Sequence, residues 1–432
     1  MGRFAHLADI HIGAWRESLL AEQNMSAFQQ ALERCRSKKV DFIIIAGDLF
    51  DGNLPNLEAV RKAAELLREV RDSGIRIYVT YGSHDFSPTA TSIIDILASA
   101  GLFTKIISTD TILANDDQKI HLNFFEDKPT GAKLVGLYGR KTGLELAYYE
   151  MLDKEALENE SGYKIFVFHS AVTELIPSNQ IYSDCIPLSL FPKGFDYYAG
   201  GHIHKTILEQ KKGYGTFAYP GTVFGYRYPD LEDLANGEKR GFFIVDFDEK
   251  GTKAVFEELT LPEVILSSFD ATGKTPRWVI DQLNAFFKKL NCKEKILLIK
   301  ISGTLASGKP KEIPVNELRS ALEKKGALLV RINRSALTGP EDIQPEATGR
   351  TKEEIEDSLL QEMVSQYNVD GAIQQQDIRD LLTTKFSGDS GLNTAKSMVK
   401  ILEDERRENE RADDFETRII RDARTIIGTG DE

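Results

Sequence analysis

The run Phe42-Ile43-Ile44-Ile45-Ala46-Gly47-Asp48-Leu49-Phe50-Asp51 constrains the fold of this chain more than any other stretch. Its β-branched residues stop abruptly at Gly47-Asp48. A short apolar run closed by a turn signal predicts a strand buried on both faces, as in a parallel sheet. The glycine lets the backbone turn sharply at the strand end. One carboxylate is thereby delivered to the crevice beyond the carboxyl edge of the sheet, where open α/β sheets bind ligands. Gly-Asp alone is a common turn. The weight comes from other strands that end the same way.

The first of these is Phe4–Ala8, which runs into Asp9-Ile10-His11. Asp9 and His11 are two apart, so an extended backbone projects them to one side. His6 lies within the strand and reads as a packing residue. Helical spacing follows over 22–38, with Met25, Phe28, Leu32 and Cys35 on one face. A second helix starts at Asn56 and stops at Gly74. The strand Ile75–Thr80 then leads into Tyr81-Gly82-Ser83-His84-Asp85. This βαβαβ order predicts parallel strands with right-handed crossovers. Further on, 91–100 and 143–160 read as helices, and short strand-like runs fall near 105–113, 119–125 and 133–139. His121, in the middle run, reads as structural. Lys164–Phe168 ends at His169, and Phe195–Ala199 ends at Gly200-Gly201-His202-Ile203-His204. Strands near 215–219, 241–247 and 253–259 complete a large domain.

At 432 residues the chain exceeds what one core usually holds. After the large domain, 276–290 and Val315–Lys325 read as helices, and Lys295–Ile301 and Ala327–Ile332 as strands. Beyond a linker at 338–350, Lys352–Tyr367 and Thr394–Arg424 have helical patterns. The three cysteines (Cys35, Cys185 and Cys292) are too scattered for a disulfide framework and imply a reducing compartment. No apolar stretch spans a bilayer, and the N-terminus lacks a signal-peptide pattern, so the expected location is cytoplasmic. The net charge of −13 argues against a polyanionic partner. Its distribution argues otherwise. Residues 271–340 hold 14 Lys/Arg against 5 Asp/Glu, whereas 341–432 hold 12 against 23. The plain alternative is a solvated surface with uneven charge.

Five of the seven histidines (His11, His84, His169, His202 and His204) fall at predicted strand ends, beside Asp9, Asp48 and Asp85. Imidazole and carboxylate together suit divalent transition metals. The donors are too many for one tetrahedral site, and two cations sharing a carboxylate fit better. The set Asp9-x-His11, Gly47-Asp48-x-x-Asp51, Gly82-Ser83-His84-Asp85, His169 and Gly201-His202-x-His204 resembles the calcineurin-like metallophosphoesterase superfamily. Within it, the opening Phe-Ala-His-Leu-Ala-Asp-Ile-His-Ile-Gly and the appended C-terminal parts resemble the SbcD/meiotic-recombination type of DNA double-strand-break repair nuclease. The resemblance covers roughly residues 1–260.

It implies a four-layer αββα sandwich over 1–268, a small basic α/β capping domain over 269–337, the linker, and a helical tail over 351–432. Asp9, His11 and His204 would hold one cation, His169 and His202 the other, and Asp48 would bridge them. His84 would contact the scissile phosphate and assist the leaving oxygen, with Asp85 orienting it. The cations would be Mn2+. The activity implied is 3′–5′ exonuclease and endonuclease action on DNA ends, hairpins or single strands, in a nucleoid-associated protein. Lys288, Lys289, Lys293, Lys295, Lys324 and Lys325 would contact DNA phosphates. The C-terminal helices would bind an SMC-like coiled-coil ATPase, and the nuclease domain would form a homodimer, with helices 22–38 and 56–72 as contributors. Two alternatives stand beside this reading: a nucleotide or phosphoprotein phosphoesterase, and a nuclease-weak scaffold for DNA ends and the ATPase.

The scaffold alternative rests on Ser83, which occupies the position where the family carries an Asn ligand to the second metal. A hydroxyl is shorter than an amide carbonyl and a weaker neutral donor. The Ser83→Asn variant is therefore expected to bind the second cation more tightly. Calorimetric Mn2+ titrations of the two forms test this, and identical isotherms would refute it.

Overall fold

Two six-stranded mixed sheets face each other across a shared core, with helices on their outer sides. The computed structural model describes residues 1–85, 91–106, 113–114, 119–139, 145–176, 185–340, 388–402 and 412–427. The first sheet runs, edge to edge, Gly251–Glu258, Gly241–Asp248, Gly2–Leu7, Phe42–Ala46, Arg76–Thr80 and Thr104–Lys105. Its last four strands are parallel, and the first two are antiparallel additions. The second sheet runs Ile207–Gln210, Thr216–Tyr219, Tyr197–Gly201, Lys164–His169, Ala132–Leu137 and Phe125–Asp127. Here the four middle strands are parallel and both edges are antiparallel.

The apolar part of the run Phe42–Asp51 is the strand Phe42–Ala46, buried along its whole length. It is covered on one side by the opposite sheet and on the other by the helices Ser18–Ser37 and Leu57–Asp72. The second helix begins as its sequence dictates. Asn56 caps it, its side chain accepting from the amides of Glu58 and Ala59. Helices also cover the second sheet, where Tyr149 packs on Phe166 and Phe191. The architecture is thus the four-layer αββα sandwich expected.

The stretch 143–160 departs from expectation. It forms two short helices, Glu145–Glu150 and Lys154–Asn159, rather than one. The break has a local cause. Ile120 donates to the Met151 carbonyl and accepts from the Asp153 amide, holding Leu152 in a β-bridge. Asp153 then caps the second helix through the Ala156 amide. His121, beside that bridge, lies 3.0 Å from Asp153. His6 is buried in the inter-sheet core, with Nδ1 3.0 Å from the Tyr197 hydroxyl.

A third, three-stranded parallel sheet follows: Val264–Asp270, Ile296–Thr304 and Leu329–Thr338. The expected domain limit at 268 falls inside its first strand. Alternation along Ile296–Thr304 divides its side chains between two cores. Leu297, Ile299 and Ile301 join a small core with Val279, Leu283, Phe287, Leu318 and Leu322 from the helices Pro276–Lys289 and Val315–Lys324. Ile296 and Leu298 join the large one. Residues Met1–Thr338 accordingly form one compact unit. In the second unit, Gly388–Leu402 and Ala412–Ile427 are helices that pack together. The expected helix Lys352–Tyr367 and the charged run 403–411 lie outside the described residues.

Asp127 ties the two large sheets together. From the edge of the second sheet, its buried carboxylate accepts from Arg76 Nε (2.8 Å) and Nη2 (2.9 Å) and from the Tyr78 hydroxyl (2.8 Å) on the first. Burial pushes its pKa up, but the bonds from Arg76, Thr130 and Tyr78 outweigh that and hold it below the usual carboxylate range. A depressed folded-state pKa contributes stability above the unfolded value of about 3.9, lost as pH falls through the folded value. Asp127→Asn is expected to lower stability by about 2 kcal/mol at pH 7. In urea melts the gap to wild type should narrow as pH drops below about 4; a pH-independent gap would refute the tie.

Candidate metal centre

Four residues of the strand-end turns adopt left-handed backbone: Asp9 (φ 50°), His11 (φ 50°), Asp48 (φ 50°) and His202 (φ 87°). Side chains other than glycine avoid this region, and such strain concentrates at functional sites. Surrounding bonds enforce it here. The Asp9 amide donates to the Gly47 carbonyl and the His11 amide to the Asp48 carbonyl. Buried Asn24, delivered by the first helix, donates Nδ2 to the carbonyls of Ile10 and His11, 3.0 Å each. The His202 amide donates to both carboxylate oxygens of Asp9, at 2.9 and 3.0 Å. Glycines clear the space around these groups. A Cβ on Gly82 would sit 2.0 Å from Asp48 Oδ1, and one on Gly47 2.3 Å from His169 Nδ1.

These turns bring strand ends of both sheets to one rim. Three groups of ligand atoms close to within 4.8 Å: Asp9, His11 and His204; Asp9, Asp48 and His169; and His11, Asp48 and His84. In each of three histidines, one ring nitrogen is committed to an acceptor that cannot donate. His169 Nδ1 lies 2.9 Å from the Ala46 carbonyl, His11 Nδ1 3.2 Å from Asp51 Oδ1, and His204 Nδ1 3.1 Å from Asp230 Oδ1. Nδ1 therefore carries the proton, and in each neutral ring Nε2 presents a lone pair.

Those lone pairs face one another and the carboxylates. His11 Nε2 lies 3.4 Å from His204 Nε2. His204 Nε2 lies 3.8 Å from Asp9 Oδ1. Buried His169 Nε2 lies 3.1 Å from Asp48 Oδ2, yet without an aligned hydrogen bond. Acceptors this close repel unless positive charge sits among them. The donor set therefore fits divalent cations, in number and in kind. Titration reflects the same tension. Burial, with the Asp48 charge adding to it, drives Asp9 above the usual carboxylate range against the pull of His169. Burial pushes Asp48 the same way, but His169, His11 and His84 hold it low. Burial disfavours a charged His169, but Asp48 and Asp9 outweigh it and push its pKa up to about 10, so without a cation a proton at Nε2 answers that repulsion.

Residues 2–206 match the family profile described as calcineurin-like phosphoesterase. The match covers just under half of the chain. Among curated relatives of this chain, the "DNA double-strand break repair protein Mre11" of Methanopyrus kandleri is 29% identical over 269 residues, covering 58% of this chain and 55% of the relative. The protein of the same name from Archaeoglobus fulgidus is 26% identical over 272 residues, covering 59% and 60%. The chain thus spans little more than half the length of these relatives. A solved dimetal phosphatase from Danio rerio is 14% identical with a TM-score of 0.39, covering 60% of this chain and 99% of that one.

Other expected site residues fall as follows. The His202 ring stands edge-on to His169 at 5.4 Å but joins none of the three ligand groups. Ser83 is half-buried on the turn after Arg76–Thr80. His84, expected to stay off the metals, joins a group with His11 and Asp48. The Asp85 carboxylate accepts from the amides of Leu49, Phe50 and Gly82. Asp51 takes the orienting role, with its carbonyl 3.0 Å and its Oδ1 3.3 Å from His84 Nδ1. Of the six lysines, Lys325 caps a helix end at the carbonyls of Phe287 and Leu290, and Lys295 pairs with Glu263 at 2.6 Å. Lys288, Lys289, Lys293 and Lys324 are exposed.

Sequence reading missed Asp230, Tyr226 and the orienting role of Asp51. Asp230 is buried at the start of the helix Tyr228–Ala235, where Oδ1 holds His204 and Oδ2 accepts from the amides of Tyr226 and Arg227. Burial would raise its pKa, but His204 pulls it down to about 2. The Tyr226 ring stacks on His11 at 4.2 Å and 18° and meets His204 edge-on at 5.0 Å. The Tyr-Pro-Asp signal of a helix start was there to be read, but nothing in it points to a histidine 26 residues upstream. Losing the carboxylate behind a metal-binding histidine typically costs 10–100-fold in affinity. Asp230→Ala is expected to weaken Mn2+ binding by about that factor while circular dichroism stays native. Unchanged affinity in a folded variant would count against the role given to His204.

Proposed function

We propose that this chain is a two-metal phosphodiesterase acting on DNA, a nuclease of double-strand-break end processing. The observation that carries this reading is the sharing of Asp9 and Asp48 between ligand groups that close on one rim. Asp9, His11 and His204 would hold one divalent cation and His169, with His202 and Ser83 nearby, the other, Asp48 lying between them. Mn2+ suits this mixed nitrogen and oxygen set. Such a pair stabilises charge on a phosphodiester and lowers the pKa of an attacking water.

The chain's own residues supply the rest. Asn24 and the His202 amide fix Asp9 and His11 before substrate arrives. Asp51 holds the His84 ring by Nδ1, through a carbonyl that only accepts. The acid form of His84 therefore carries its transferable proton at Nε2, the atom suited to protonating a leaving oxygen. The names of the archaeal relatives support a DNA substrate, and the basic surplus of residues 271–340 suits a polyanion. By the same reading, the small third sheet and its helices cap the site, exposed Lys288, Lys289, Lys293 and Lys324 touch DNA phosphates, and the protein dimerises. The amphipathic C-terminal helices dock on an SMC-like coiled-coil ATPase near the nucleoid. A nuclease-weak scaffold is favoured by one observation, Ser83 in place of Asn.

Mn2+ incubation with linear duplex DNA, with and without the ATPase, beside a nitrophenyl phosphodiester, separates the readings. Cleavage of DNA is the expected result. Turnover of the ester alone would point to a small-substrate phosphoesterase, and DNA binding without turnover to the scaffold.

A further inference from the structure

The segment Tyr226–Tyr228 runs between the candidate metal centre and the third sheet and carries two guanidinium–ring stacks. The Arg227 guanidinium lies 5.2 Å from the Tyr226 ring centroid, and that ring is itself stacked on His11 and edge-on to His84 at 5.6 Å. Two residues on, Arg331 of the strand Leu329–Thr338 lies 3.8 Å over the Tyr228 ring. The two arginines differ in one respect. Arg331 approaches Glu17 at 3.8 Å, and Glu17 also takes the Tyr228 hydroxyl. Arg227 is exposed and has no carboxylate partner among the described residues.

Its backbone is not free to wander. The amides of Tyr226 and Arg227 both donate to Asp230, whose other oxygen holds His204. Trp15 Nε1 pins the preceding Gly225 carbonyl at 2.8 Å. A guanidinium with no carboxylate partner among the described residues thus lies against the ring that stacks on His11. Guanidinium groups pair with phosphate through two parallel N–H bonds. A mononucleotide or simple ester offers a single phosphorus centre, already engaged at the cations. A polynucleotide offers the next phosphate as well.

We propose that Arg227 is a phosphate-binding residue that holds a non-scissile phosphate of the strand being cut, and so favours oligonucleotides over isolated phosphodiesters. This rests on the nuclease reading above. The test uses the full chain with Mn2+, a fluorescein-labelled single-stranded oligonucleotide and bis(4-nitrophenyl) phosphate. Arg227→Ala should raise the oligonucleotide KM about tenfold more than the ester KM. By fluorescence anisotropy, the slope of log Kd against log salt should fall by about 0.7, one phosphate contact on a single strand. Arg227→Lys keeps the charge and should restore most of the slope. If wild-type protein cuts the oligonucleotide and R227A matches it in KM ratio and salt slope, this assignment alone is overturned. If wild-type protein turns over the ester but neither binds nor cuts the oligonucleotide, the nuclease reading fails and the assignment fails with it.

Discussion

Lone pairs held against lone pairs are the constraint on which the rest of this structure depends. His11, His169 and His204 each give up a ring nitrogen to a fixed acceptor and turn the other toward Asp9, Asp48 or a neighbouring imidazole. Nearly all of these groups are buried, so water cannot screen them and the local dielectric is low. Such a cluster costs folding free energy unless a cation compensates it. The molecule nonetheless commits several secondary structures to building it. Strand ends from both sheets supply the ligands, and the first helix supplies Asn24 to hold the left-handed turns.

The glycines belong to the same economy of space. Gly47, Gly82, Gly139 and Gly201 all lie where an added Cβ would strike His169, Asp48 or the backbone beside them. Packing this tight leaves the ligand side chains few alternative rotamers, which pre-organises the site. The second layer of contacts extends it outward. Asp230 links His204 to the helix Tyr228–Ala235, and Glu232 on that helix pairs with Lys300 of the third sheet at 2.6 Å. A shift of the small sheet would therefore be felt behind a proposed metal ligand, through a short run of named bonds.

Much of the candidate His/Asp cluster was legible in the sequence, because strand-end turns leave a strong signature. A β-branched run that halts at Gly-Asp, or a strand that halts at His, announces both the element and the direction of its last side chain. Asp9, His11, Asp48, His169 and His204 were all readable in that way. The roles of Asp51, Asp85 and Asp230 were not. Each depends on which of several nearby polar atoms a carboxylate reaches, and that is set by tertiary packing. Asp85 turned inward to three backbone amides, whereas Asp51, three residues past the strand-end Asp48, reached both His11 and His84. The division of 143–160 was hidden for a similar reason, since one β-bridge from Ile120 overrode an otherwise continuous helical pattern. Charge counting located a basic region but could not tell a helix-capping Lys325 from a solvated Lys324.

The central claim is that this rim holds two cations at once. Anomalous diffraction from crystals grown with Mn2+, collected either side of the manganese edge, addresses it without reference to any substrate. The account predicts two peaks per chain, one bounded by Asp9, His11 and His204 and one beside His169, with Asp48 in contact with both. Peaks elsewhere, or none within reach of His169 and His204, would contradict it.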